Sequence, residues 1–144
     1  MSEPRVGMRT PWGKADYVKK CAEGVYFAGT PSHGGIKLSA SRNAQVHEAW
    51  RNAGGWYEED CEWAIVEYTW PEILRPVGYV THPTQERVLE VLRNYCPYGY
   101  MAVTGEVLTL ETSRVLAMDA KGERTWRTEE QLAELVANRV ADAM

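Results

Sequence analysis

The hydrophobic pattern changes its period along the chain. Over residues 15–39, apolar and β-branched residues fall in short runs, Ala15–Cys21, Gly24–Gly29 and Gly35–Ser39, and Ile36-Lys37-Leu38-Ser39 alternates strictly. A period of two, broken at Glu23-Gly24 and again over Pro31–Gly35, predicts an antiparallel β-meander. From Ala44 the spacing turns helical, because Val46, Ala49, Trp50 and Ala53 stand at i, i+3, i+4 and i+7. That spacing predicts an amphipathic helix over 44–53, capped by Asn43 and stopped by Gly54-Gly55.

Residues 58–70 carry both signals. A helix would align Cys61, Ile65 and Tyr68, whereas Ala64–Trp70 is rich in β-branched and aromatic residues. The reading adopted is a short acidic helix running into a strand, which Pro71 ends. After a Pro/Gly-rich stretch over 71–83, the stripe Val88, Leu89, Val91 and Leu92 predicts a helix from Thr84 to about Tyr95. Arg114–Met118 and Arg124–Arg127 flank Asp119–Glu123 like the arms of a hairpin. Thr128-Glu129-Glu130-Gln131 opens a terminal helix with capping-box spacing. The expected fold is therefore α+β: an N-terminal antiparallel β-meander packed against several helices, with a later β-hairpin and a C-terminal helix. A chain of 144 residues suits one domain over 1–144, with residues 1–9 as a flexible lead.

Composition narrows the class. A hydrophobic fraction of 44% and a charged fraction of 25% are ordinary globular values, so neither disorder nor a fibrous class is favoured. No stretch reads as a leader or a membrane span, so a cytoplasmic protein is expected, with no membrane partner. Cys21, Cys61 and Cys96 lie far apart in sequence without any Cys-x-x-Cys pair, and reduced thiols are the expectation.

The net charge of −4 is unevenly spread, with residues 1–47 at +4, 48–72 at −6 and 73–144 at −2. An acidic centre repels phosphodiesters, which argues against direct nucleic-acid binding.

Chemically demanding residues gather in two glycine-centred islands, Thr30–Gly35 and Gly54–Trp63. The run Gly29–Gly34 has the outer spacing of a phosphate loop, but Gly35 stands where the phosphate-binding Lys belongs. His33, Asp60 and Cys61 are the candidate catalytic set: a thiol, a base and an acid to orient it. Clustered carboxylates disfavour thiolate, so Cys61 reads first as a small packed residue and a hydrolase or transferase is the alternative. His33, His47, Asp60, Cys61 and His82 lack any ligand spacing, and no metal or cofactor is expected. Four of the six tryptophans lie between residues 50 and 70, interleaved with acids. Trp56, Tyr57, Glu58, Glu59, Glu62, Trp63 and Trp70 are thus the candidate binding residues, aromatic anchors within a charged rim.

Three motifs, Thr10-Pro11-Trp12-Gly13, Thr30-Pro31-Ser32-His33-Gly34-Gly35 and Gly54 through Trp63, resemble an uncharacterised domain family of bacterial, plasmid and bacteriophage proteins. The resemblance is strongest over residues 10–72. It implies common ancestry and carries no established reaction. It also implies a setting: a small phage-type accessory protein that binds a host protein and inhibits a host process or defence system.

Overall fold

The computed structural model describes residues 3–77 and 84–123. β1 (Arg9–Thr10) and β2 (Gly13–Lys14) form a minimal hairpin. The Thr10 hydroxyl donates to the Gly13 carbonyl at 2.8 Å and accepts from the Trp12 N–H at 3.1 Å, closing the turn with Gly13 at φ +124°. β3 (Tyr17–Ala22), β4 (Val25–Gly29), β5 (Gly34–Leu38) and β6 (Trp56–Glu58) follow in an antiparallel sheet whose spatial order is the chain order. The predicted meander is present, and Gly24 at φ +76° makes its first turn.

The register Val25↔Leu38 and Ile36↔Tyr57 puts these four side chains on one face, where all are buried. Gly35, Lys37, Trp56 and Glu58 therefore occupy the opposite face, since side chains alternate along a strand.

Two elements differ from the sequence expectation between the islands. No helix spans 44–53; instead α1 (Ala40–Asn43) is a single turn whose N-cap is Ser39, accepting from the Arg42 N–H. Asn43 is no cap but a buried bridge. Its Nδ2 donates to the Asn52 carbonyl at 2.8 Å, and its Oδ1 accepts from the Tyr57 hydroxyl at 2.6 Å. Arg51 donates to the carbonyls of Val46 and Ala44, so side chains satisfy backbone groups that a helix would have paired. Val46 and Trp50 are buried nonetheless.

Over 58–70 the expected acidic helix is instead a turn at 59–62, and the expected strand is a helix. β6 ends at Glu58, and α2 (Trp63–Thr69) buries five consecutive residues, Trp63 to Glu67. A helix can bury a continuous run only when it is covered on several sides, and α2 packs on both β6 and the next long helix. Trp70 is extended before Pro71, as a residue preceding proline prefers. The buried Glu67 carboxylate then accepts from the Glu72 and Leu74 N–H groups, holding a turn in which Glu72 sits at φ +71°.

A 3₁₀ turn (Arg75–Val77) closes the first described stretch. α3 (Gln85–Tyr95) matches its prediction, with Thr84 accepting from the Arg87 N–H. α4 (Pro97–Thr104) starts on a proline at its first turn, a position that needs no N–H donor. The expected hairpin is overturned at its first arm, because Arg114–Lys121 is α5, capped by Ser113 and closed by Gly122 at φ +69°. The second arm, 124–127, and the terminal helix from Thr128 lie outside the described residues. α3 contacts α2, α4 and α5, and its Val88, Val91 and Leu92 join the sheet face in one core. No helix among the described residues is long and apolar enough to cross a membrane.

Candidate functional site

Three sequence motifs meet on the outer face of the sheet. The β1–β2 turn lays the Trp12 indole on Gly35, where a methyl group would overlap both the ring and the Tyr57 carbonyl. That close approach is the physical reason for a glycine there. Around Trp12 stand His33, edge-on at 5.8 Å between ring centroids, and Trp56, perpendicular at 5.6 Å. The Lys37 ammonium lies over Trp56 at 5.3 Å and donates to the Gly54 carbonyl. Burial holds its pKa below the ordinary lysine value.

Beside this aromatic group lies a charge cluster. A tight turn fixes His33: its carbonyl accepts from the Thr30 N–H and hydroxyl, both at 2.7 Å, and its own N–H donates to Thr30 Oγ1 at 3.1 Å. The Glu59 N–H donates to the Gly34 carbonyl at 3.0 Å, fastening the acidic loop to the same turn. His33 Nε2 then faces Glu58 Oε1 at 3.3 Å and Asp60 Oδ2 at 3.8 Å, while its Nδ1 faces Glu59 Oε1 at 3.7 Å. The His33 side chain is 28% exposed and Asp60 74%, so the cluster opens to solvent on the Asp60 side.

Glu58 is the inner acid. Its oxygens accept from the Asp60 N–H and, at 3.8 Å, from the Cys61 thiol. Burial, reinforced by Asp60 and Glu62, raises its carboxyl above the usual range against the pull of the Asp60 N–H and His33. The Cys61 thiol is pushed up strongly, first by its hydrogen bond with Cys96 and then by burial. A thiol bonded to a carboxylate and to a second thiol is the opposite of an activated nucleophile.

A model of a domain of unknown function, DUF7007, matches residues 5–126, most of the chain. The chain belongs to the DUF7007 family. No curated protein and no solved structure matches it. All three motifs quoted above lie inside the DUF7007 span, and in this member they build one patch rather than three separate features.

The remaining candidates of this DUF7007 chain divide sharply. Tyr57 is 0% exposed and Trp63 is 6%, so both rings belong to the core and cannot meet a partner. The Tyr57 hydroxyl, pushed up to about 12 by burial, bridges Asn43 and the Asn52 N–H. Glu62 is an internal clamp: one oxygen accepts from the Glu58 N–H at 3.1 Å and the other from Asn52 Nδ2 at 3.0 Å. Trp70 is half-buried under the Arg42 guanidinium at 4.9 Å. Trp56, Glu58, Glu59, Asp60 and His33 are drawn together. Trp12 is the site residue that the sequence reading passed over, although the turn chemistry of Thr-Pro-Trp-Gly marked it.

Proposed function

We propose that this DUF7007 chain is a protein-binding module whose Trp12–Trp56 face and Glu58–Asp60 rim take an arginine- or lysine-bearing segment of a partner protein. One observation carries the reading. Among the described residues, His33 is the only basic side chain within ion-pair distance of Glu59 and Asp60, so three carboxylates share a single imidazole. Even a protonated ring leaves two negative charges uncompensated beside two partly open indoles. A guanidinium satisfies both halves of such a patch, because it pairs with carboxylates through a planar fork and stacks on aromatic faces. The setting we infer is a phage-type accessory protein in the bacterial cytoplasm, with a host protein supplying the basic segment.

Titration of tryptophan fluorescence with an arginine-rich peptide, in the presence of a chelator, tests the reading. Saturable binding is expected that weakens as salt rises and that an acidic peptide of equal length fails to reproduce. Trp56→Ala should weaken it by about 2 kcal/mol, roughly thirtyfold, with the circular dichroism of the fold retained. Equal binding of both peptides, or none of either, would refute the assignment.

A further inference from the structure

The cluster that gives the patch its charge also carries ligand chemistry. One nitrogen of His33, one oxygen of Glu59 and one of Asp60 all lie within 4.8 Å of one another. Bonds of about 2.0–2.2 Å to a common ion place ligand atoms roughly 3–3.5 Å apart in tetrahedral geometry. The His33 Nε2 to Asp60 Oδ2 distance of 3.8 Å needs to close by a few tenths of an ångström, while Glu59 Oε1, which faces Nδ1 at 3.7 Å, has to swing round to the Nε2 side of the ring.

Two features set this group apart from a solvated run of acids. It contains an imidazole whose ring plane is held against Trp12 and whose backbone is locked by Thr30. The segment bearing Glu59 and Asp60 is tied to the turn bearing His33 by the bond from the Glu59 N–H to the Gly34 carbonyl. The two segments that carry the ligands are thus held beside each other by hydrogen bonds, the part of a metal site that a scaffold supplies.

We propose that His33, Glu59 and Asp60 bind one divalent transition-metal ion, zinc first, with the exposed side of Asp60 leaving a coordination position to water. The donor set decides the class. One nitrogen and two oxygens suit zinc or manganese, whereas calcium and magnesium take six or more oxygens. Glu58 stays outside the set as the inner brace, its Oε1 occupied by the Asp60 N–H. The inference goes beyond the peptide-binding reading and does not rest on it, although a bound ion and a basic segment would compete for the same carboxylates.

Calorimetric titration of the chelator-treated full chain with zinc chloride tests it, with manganese and magnesium chlorides as comparators. One saturable zinc site is expected, weakened roughly tenfold or more by His33→Ala and by Asp60→Asn and unchanged by His47→Ala. Absence of saturable binding up to about 1 mM zinc, or full binding by a folded His33→Ala chain, overturns it. Nuclear magnetic resonance on the unaltered chain gives a reading that no folding defect can blur. Zinc should shift the His33 ring resonances first, and shifts confined to His47 or His82 would overturn the site. Because the peptide titration runs in chelator, either proposal can fail without the other.

Discussion

At the scale of single residues, Gly35 decides more than any charged group. It lets the six-membered ring of Trp12 rest on the sheet beside His33 and Trp56, and it clears the Tyr57 carbonyl of the neighbouring strand. Gly35→Ala should cost about 2 kcal/mol of stability, the range for forcing a methyl into a packed site. Chemical denaturation would measure it, and a cost near zero would mean that Trp12 does not seat there. Removing the ring in a Trp12→Ala background should relieve part of the penalty, leaving the overlap with the carbonyl. The proximity of His33 to the Glu58–Asp60 acids was legible in the sequence, because opposite charges on two turn-rich islands have reason to meet. The fates of Tyr57 and Trp63 were not, since a sequence names an aromatic without saying which face of a strand or helix will be covered.

At the scale of elements, periodicity was read correctly where one partner sufficed and wrongly where side chains replaced backbone pairing. The meander and α3 needed only alternation, a cap and a stripe. Residues 44–53 have a helical burial pattern, with Val46 and Trp50 inside, yet Asn43 and Arg51 bond the carbonyls that a helix would have used. Asn43→Ala should therefore loosen the whole loop, costing about 2–3 kcal/mol for its two hydrogen bonds, and Tyr57→Phe, which also breaks two, should cost a similar amount. Chemical denaturation would measure both, and a cost near zero for Asn43→Ala would show that Asn43 is not the bridge. α4 carries no period that marks it in the sequence, since Pro97 and Gly99 both disfavour a helix interior; in the structure Gly99 lets the Trp50 side chain approach, and a Cβ there would stand 2.8 Å from that of Trp50. α5 was mistaken for a hairpin arm because Gly122 serves a helix end as readily as a β-turn.

At the scale of the molecule, the acidic stretch 48–72 is not one acidic face. Glu67 is buried as a turn clamp, Glu62 braces a loop, Glu72 pairs with Arg75 and Glu48 is exposed in the 44–53 loop, which leaves Glu58, Glu59 and Asp60 as the group that shares His33. Within that group Glu58 sets a pH dependence. A carboxyl whose folded pKa is raised contributes stability that is whole below its unfolded value and is lost as pH rises through the folded one. Glu58→Gln should thus raise the melting temperature at pH 7, with the advantage shrinking toward zero below about pH 4. Thermal melts across that range would show it, and an advantage that grew on acidification would contradict the burial of this group. The seating of the N-terminal hairpin has an optical consequence. Trp12 and Trp56 stand perpendicular with centroids 5.6 Å apart, close enough for the excited states of two indoles to mix. Paired circular-dichroism bands of opposite sign should accompany the seated turn and vanish in Trp12→Phe, so the chain carries its own spectroscopic gauge of whether its first hairpin is docked.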